Sequence, residues 1–317
     1  MKKYLFFLGV ILVANNSIAQ TIDTIKPAPK NWKKGGLIGL NLTQSSFTNW
    51  AAGGENSFSA TALTSLFANY KKDKWTWDNN LDLAYGLLKS GTDKVRKNED
   101  KIDFTSKLGR YAFYNHWYYS ALVNFKSQFD NGYNLPDDSN VVSHFMAPAY
   151  VIGAIGLDYK STDNSFSAFI SPITSKTVFV NDQKLADAGA YGVEAAKYDS
   201  VAGVYAIVKN GNRMNSQFGG YVKIAFKKDI MKNVNLATKL ELFTNYLDNP
   251  QNIQVNWELL LSMKVNKLIS ASISTNMIYD HNIPVPVKRE VNGIKVDGTG
   301  PRLQFKEVFA IGVTYKF

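Results

Sequence analysis

The sequence predicts an all-β protein, a transmembrane antiparallel up-and-down β-barrel of about twelve strands. Three observations favour this fold. Segments close to the roughly 9–11 residues that a tilted membrane strand needs alternate between apolar and polar side chains. Short and long connections alternate along the chain, and the final segment has one wholly apolar face. Beyond the N-terminal region, no stretch has the ~18 uninterrupted apolar residues of a membrane-spanning helix.

The N-terminal region predicts export. Two lysines precede an apolar run, and a small-x-small cleavage site ends at Ala19. We therefore expect a signal peptide over residues 1–19, a flexible periplasmic leader over 20–34 and the barrel over 35–317. The alternative is a retained membrane anchor. The apolar run, about half of the ~20 residues that such a helix requires, disfavours it.

Composition narrows the function further. There are no cysteines, which excludes a lipid anchor on an N-terminal cysteine, thiol catalysis and cysteine metal sites. The 17 Tyr, 19 Phe and 6 Trp suit the aromatic girdles of a barrel in contact with outer-membrane lipid. A formal net charge of +10 favours anionic partners by long-range attraction. Nucleic acid is not expected as a partner, because no basic cluster is interleaved on one element.

Twelve segments have strand character. Four of them have a clear apolar face and begin at Trp75, Trp117, Phe218 and Ile253. Seven weaker ones lie near residues 36–46, 57–70, 101–112, 147–160, 165–177, 233–246 and 267–280, and the final strand lies near 303–317. The even number is typical of bacterial single-chain barrels.

The connections provide a separate criterion. If the first strand runs outward, every second link should be a tight periplasmic turn. The short links are 71–74, 114–116, 161–164, 228–232 and 266–267, and the outer links are 47–56, 89–100, 130–146, 178–214, 247–252 and 281–301. A soluble β-sandwich is the alternative, but it would not need the aromatic strand ends.

The last strand carries apolar residues at alternate positions up to the final residue. Val313, Tyr315 and Phe317 predict a lipid-facing terminal insertion strand that the barrel-assembly machinery would recognise.

Charged residues alternate with the lipid-facing ones. A charge facing the lipid midplane would cost roughly 2–4 kcal/mol, so these residues should line the lumen. They are Asp78, Asp82, Asp103, Lys107, Lys126, Asp158, Lys223, Lys227, Lys239, Glu241, Glu258, Lys264 and Lys306. They can line a water-filled pore or pair with one another and close a narrow barrel. Their mixed signs favour pairing, and the excess of lysine leaves room for anions.

Two motifs go beyond generic barrel physics. The segments 44–57 (QSSFTNWAAGGENS) and 171–193, which begins SPITSK and continues through FVNDQKLADAGAYGV, resemble an uncharacterised outer-membrane family of Bacteroidota. That family is catalogued as a domain of unknown function, number 3078. The resemblance extends over nearly the whole mature chain. It implies a β-barrel in the outer membrane and supplies no catalytic residues.

The residues of these motifs have physical interpretations of their own. Gly53 and Gly54 permit a tight tip in the first outer loop, and Trp50 can anchor that loop at the head groups. Pro172 lacks a backbone donor and predicts a bulge near the outer end of its strand. The long link 178–214 can fold inward and narrow the lumen, or lie over the mouth as a lid.

Catalysis is not expected. His116, His144 and His281 lack the base-and-hydroxyl spacing of a hydrolase, and no residues have the spacing of a metal or cofactor site. The sequence therefore favours a structural or accessory role in the cell envelope, with the lumen largely occluded and another envelope protein complex as a partner. The alternative is a narrow channel for small, anionic solutes, and the third hypothesis is an outer-membrane hydrolase.

Overall fold

A computed structural model describes residues 31–46, 55–133, 137–201, 204–283, 285–291 and 294–317. The predicted signal peptide and most of the leader lie outside these ranges. The elements are, in chain order, β1 (Trp32–Ser45), β2 (Ser57–Lys72), β3 (Trp75–Ser90), β4 (Arg96–Tyr111), β5 (Trp117–Ser127), β6 (Gly132–Tyr133), β7 (Val141–Ser143), β8 (Ala149–Lys160), β9 (Phe166–Phe179), α1 (Gln183–Asp187), a 3-10 turn (Ala190–Gly192), β10 (Lys197–Val201), β11 (Val204–Lys209), β12 (Met214–Met231), β13 (Val234–Asn245), β14 (Gln254–Lys264), β15 (Ile269–Tyr279), β16 (Val285–Val291), β17 (Ile294–Gly300) and β18 (Gln304–Lys316).

Twelve of the described strands close into one barrel in the order β1-β18-β15-β14-β13-β12-β9-β8-β5-β4-β3-β2. Strands that are adjacent in this ring pair antiparallel, and β1 pairs with β18 to close it. Three two-stranded hairpins, β6–β7, β10–β11 and β16–β17, project from the longer connections. The predicted barrel of about twelve strands is confirmed. No helix among the described residues is long and apolar enough to cross a membrane.

Some strand bounds differ from the prediction. β1 begins at Trp32, so the last three residues of the predicted leader belong to the barrel. β4 begins at Arg96 rather than near residue 101, and β12 continues to Met231. The predicted turn at 228–232 therefore shrinks to two residues. In each case a polar or charged stretch continues the strand because its ladder partners are already fixed on the neighbouring strand.

The short connections lie at one end of the barrel, which is the periplasmic end of barrels of this type. Asp73, Asn164 and Asn233 have φ values of 50°, 56° and 64° in these turns. Asn and Asp tolerate this left-handed conformation better than bulkier residues do. The tight periplasmic turns are thus built from residues suited to them.

The exterior of the barrel is apolar. Ile155, Val123 and Phe309 are 62%, 51% and 57% exposed on strands whose backbone groups are paired in the ladder. A closed, backbone-satisfied sheet with an apolar outer face is the form in which β-structure crosses a membrane. The predicted lipid-facing residues of the last strand, Val313, Tyr315 and Phe317, are all exposed on this face.

Aromatic rings gather on the exterior near the periplasmic turns. Trp32 lies 5.2 Å from Tyr70, and Trp117 lies 5.3 Å from Tyr159, measured between ring centroids. Such rings mark the boundary between hydrocarbon and head groups. The chain is therefore an outer-membrane β-barrel with its periplasmic girdle at these residues.

Pro172 lies at a bulge, as predicted, but in the middle of β9 rather than near its outer end. The register of β9 shifts between Ile170 and Ile173 against β8 and between Ser171 and Thr174 against β12. The Ser171 hydroxyl donates to the Ile155 carbonyl at 2.8 Å, and the Thr174 hydroxyl donates to Ser171 Oγ at 2.8 Å. These side chains satisfy polar groups that the interrupted ladder leaves over.

Candidate functional site

The predicted lumen-lining charges all occupy inward-facing positions of their strands. Phe104 and Leu108 are exposed to lipid on β4, so Asp103 and Lys107 alternate inward. The same alternation places the other eleven inside: Asp78, Asp82, Lys126, Asp158, Lys223, Lys227, Lys239, Glu241, Glu258, Lys264 and Lys306. Their contacts divide the lumen into three levels, which are described below.

At mid-height the charges form a mid-lumen network of Lys101, Asp103, Lys126, Lys223, Lys239, Glu241 and Glu258. Glu241 is its centre and is only 6% exposed. It pairs with Lys126 at 2.6 Å and with Lys223 at 3.6 Å. The Tyr221 hydroxyl donates to its Oε1 at 2.7 Å, and Asn256 Nδ2 donates to its Oε2 at 3.0 Å. The carboxylate is thus held from β5, β12 and β14.

The network crosses the lumen. Lys239 on β13 pairs with Glu258 at 2.9 Å and with Asp103 on β4 at 3.5 Å. Lys101 on β4 pairs with Glu258 on β14 at 3.3 Å. β4 and β14 stand six places apart in the ring of twelve, the largest separation that the ring allows. Side chains from opposite walls therefore meet at this level.

An apolar cluster lies beside the network. Leu122, Phe169 and Tyr221 are 2%, 1% and 2% exposed and point inward from β5, β9 and β12. Ile152, Ala154 and Phe243 complete the cluster. Phe169 and Tyr221 meet edge-on, with ring centroids 6.3 Å apart. One side of the lumen is packed like a protein core.

Below the network, toward the periplasmic turns, lies a cavity of about 1040 Å³, which we call the vestibule. Leu122 and Phe169 form its closed end, which faces the network, and turn residues such as His116 and Asn164 lie at its periplasmic rim. Six lysines line it: Lys33, Lys71, Lys107, Lys160, Lys223 and Lys227. Asp78 is the one acidic residue among the lining residues, and it pairs with Lys160 at 2.5 Å.

At the outer end, residues 181–201 and 204–213, which we call the outer segment, follow β9. Val178 and Val180 are buried against Ala186 and Val193 of the segment, with Tyr150, Leu185 and Tyr191 around them. The Tyr191 hydroxyl donates to the Val142 carbonyl at 2.6 Å. These contacts lie at the outer ends of β8 and β9, which both arrangements predicted from the sequence allow.

The outer segment is also held by a helix cap. Asp182 Oδ1 accepts a hydrogen bond from the Leu185 N–H at 3.0 Å, and Asp182 Oδ2 lies 3.3 Å from His144 Nε2. The Leu185 N–H, and then His144, lower the pKa of Asp182 below its ordinary value of 3.8. The carboxylate form of Asp182 is therefore the one that stabilises the segment.

Sequence reasoning missed several lumen residues. Lys101 is absent from the predicted residues because the sequence predicts that β4 begins there, whereas the strand starts at Arg96. Lys176 pairs with Asp280 at 3.8 Å, and the bulge at 171–173 shifts its alternation relative to the first half of β9. Pro172 was the signal that could have revealed that shift. Glu99 pairs with Lys306 across the outer part of the lumen.

The remaining predicted residues contribute little to the described site. Trp50, Gly53 and Gly54 lie outside the described residues. His144 contacts Asp182, and His281 Nδ1 lies 3.4 Å from the Tyr279 hydroxyl. In the part of the chain that the structure describes, no group of three or more His, Asp or Glu residues could hold a metal ion.

Part of the chain matches a known family. Residues 42–133 match a family described as "Protein of unknown function (DUF3078)", which confirms the resemblance for that part of the chain. The second motif, at 171–193, lies beyond the match. No curated protein matches the chain.

Solved outer-membrane proteins match the chain at low identity. An outer-membrane channel from Pseudomonas putida F1 is 12% identical, with a TM-score of 0.39, and 94% of this chain covers 100% of that one. The translocator domain of the autotransporter NalP from Neisseria meningitidis is 7% identical, with a TM-score of 0.33 and coverage of 93% and 91%. The toluene transporter TodX from P. putida is 10% identical, with a TM-score of 0.29 and coverage of 91% and 90%.

Proposed function

We propose that the protein is a structural or accessory barrel of the outer membrane whose lumen is closed to solutes at mid-height. The observation that carries this proposal is the ion pair between Lys101 and Glu258, which joins strands on opposite sides of the ring. A water-filled pore requires the walls to stay apart at every level. Direct contact between opposite walls supports closure.

The balance of charges supports the same proposal. The mid-lumen network contains four lysines and three carboxylates, and each member lies within 4.0 Å of at least one member of opposite charge. Buried charges are tolerated only when paired and hydrogen-bonded. A network satisfied internally gains little by opening to let a solute pass.

The outer segment provides a second barrier. It packs on Val178 and Val180, and a Cβ on Gly192 would lie 3.7 Å from the Asn282 carbonyl, which follows β15. The segment, which joins β9 to β12, thus reaches a connection that stands three places from β12 in the ring. With the lumen closed, the outer hairpins are the part available to another envelope protein complex.

Planar-bilayer recording of the purified protein tests this proposal. We expect no discrete conductance steps from the wild type. Discrete steps that disappear when Lys126 and Lys223 are both changed to Glu would overturn closure, because those residues would then line the conducting path. Co-purification from native membranes with a second large barrel would support the accessory role, and recovery of the barrel alone after mild cross-linking would count against it.

A narrow channel for small anions is the second candidate, and one observation favours it. Leu260 faces inward on β14 yet is 42% exposed. Ser262, Ser272 and Ser274 are its small neighbours on β14 and β15. Open space therefore lies beside the network on that wall. The same recordings distinguish the candidates, since an anion channel predicts steps with anion-selective reversal potentials.

Hydrolase activity is the third hypothesis, and we expect none. Lipase and protease assays of the wild type, with His281→Ala as the control, test it. Activity that His281→Ala abolishes would contradict this expectation.

A further inference from the structure

We infer that the vestibule is a binding chamber, open to the periplasm, for a small organic anion that carries a phosphate or carboxylate on an apolar body. The inference deepens the proposed function and depends on it in one respect, that the lumen is closed at the inner end of the chamber. The supporting observations are the charge, the lining and the shape of the cavity.

Charge comes first. Lys107 pairs with Asp158 at 2.6 Å, and Lys160 pairs with Asp78. Lys33, Lys71 and Lys227 have no acidic partner within 4.0 Å among the described residues, although all three line the cavity. A concave site lined by one sign of charge concentrates the opposite ion. The chamber is therefore built to hold an anion.

The apolar lining indicates the rest of the ligand. Phe67, Leu122 and Phe169 face the cavity beside Tyr118. Lys107 Nζ lies 5.9 Å from the centroid of the Phe169 ring, so cation and aromatic surface are presented together. Small-molecule sites are concave, largely apolar and directed by a few polar groups. An inorganic ion would leave these rings unused, whereas an aromatic or aliphatic body would cover them.

Size and access agree with this ligand class. The volume of about 1040 Å³ is at the upper end of the roughly 300–1,000 Å³ typical of small-molecule pockets. The rim consists of the turns at 112–116 and 161–165, so entry is from the periplasmic end. Beyond the closed end of the vestibule, the mid-lumen network blocks passage toward the outer side. The ligand is retained rather than transported.

Binding of phenyl phosphate to the barrel in lipid nanodiscs, measured by calorimetry, tests the inference. We expect a Kd of about 1 mM or tighter. Inorganic phosphate should bind at least about fivefold more weakly, and benzyl alcohol should show no saturable binding. No binding of phenyl phosphate to the wild type would overturn the inference.

Two neighbouring lysines provide a matched pair of variants. Lys227 lines the vestibule, and Lys228 is exposed on the opposite face of β12. Both substitutions, Lys227→Glu and Lys228→Glu, change the net charge equally. We expect Lys227→Glu to weaken phenyl phosphate at least tenfold and Lys228→Glu less than twofold. Equal weakening would show that general surface charge, not the chamber, attracts the anion.

The conductance experiment separates this inference from the proposed closure. If the wild-type barrel shows no conductance steps and does not bind phenyl phosphate, only the binding chamber is refuted. Conductance steps in a barrel that still binds phenyl phosphate refute only the closure. Heat-modifiable mobility of each variant confirms that it has folded.

Discussion

The two walls of the lumen differ in what they contribute. The packed wall consists of the inward residues of β5, β8, β9, β12 and β13, among them Leu122, Phe169 and Tyr221. The small wall consists of those of β14, β15, β18 and β1, where Ser272, Ala310 and Gly312 face inward. The comparison shows that strand pairing closes the ring but does not by itself fill the lumen of a barrel of this size. Bulk and charge from the packed wall fill the space that the small wall leaves.

The largest expected effect is on the charge centre of the packed wall. Changing Glu241 to Gln leaves Lys126 and Lys223 without their shared carboxylate. Breaking such a buried pair typically costs 3–5 kcal/mol, and we expect about 3 kcal/mol of lost unfolding free energy in detergent. Denaturant unfolding followed by tryptophan fluorescence measures it.

The control for that variant is Glu194→Gln in the outer segment. Glu194 is half exposed and pairs with Lys197 at 3.8 Å and Lys209 at 3.4 Å. Exposed pairs contribute little, so we expect a change below about 0.5 kcal/mol. Equal losses in the two variants would contradict the special role given to the packed wall.

Added bulk gives the second largest effect. Ala154 is 4% exposed in the packed wall, whereas Ser272 is partly exposed in the small wall. We expect Ala154→Phe to cost about 2–3 kcal/mol by overpacking and Ser272→Phe less than about 1 kcal/mol. The same unfolding measurement applies. A greater loss from Ser272→Phe would mean that the small wall is the tightly packed one.

The alternation of side chains explains how far the sequence predicts this comparison. It places Lys126 and Glu241 inside, because a strand fixes the face of each residue. It does not show that Lys101 meets Glu258, since partners across a lumen depend on closure and tilt rather than on local pattern. The bulge at Pro172 similarly changes the face of Lys176, and only the register with β8 and β12 reveals it. The sequence thus predicts the fold and the face on which each residue lies, but not the ion pairs across the lumen.

The third prediction extends the comparison to the outer segment, which is anchored on β8 and β9 of the packed wall. Ala186 is fully buried there, and Ala195 is exposed. We expect Ala186→Asp to speed tryptic cleavage of the segment about tenfold, because a buried unpaired charge favours detachment. Ala195→Asp should leave the rate within twofold. Unchanged cleavage of Ala186→Asp would show that the segment is not anchored by this cluster.

The smallest expected effect is on pH. Because the pKa of Asp182 is lowered in the folded segment, its stabilisation is complete above the ordinary value of 3.8 and is lost as pH falls through the lower folded value. Hydrogen exchange of α1 should therefore accelerate modestly below about pH 4. In Asp182→Asn, which keeps a capping oxygen, the acceleration should be absent. An identical pH profile in both proteins would exclude Asp182 as the cause.

The contact between opposite walls is the central claim, and cross-linking tests it most directly. The chain has no cysteine, so a pair placed at Lys101 and Glu258 reports on the lumen alone. A short bismaleimide should join this pair in high yield, with mass spectrometry identifying the product. The lipid-facing pair Ile102→Cys and Leu259→Cys, on the same two strands, should remain unlinked. Failure to link positions 101 and 258 in a folded barrel would mean that the walls stand apart and the lumen is open.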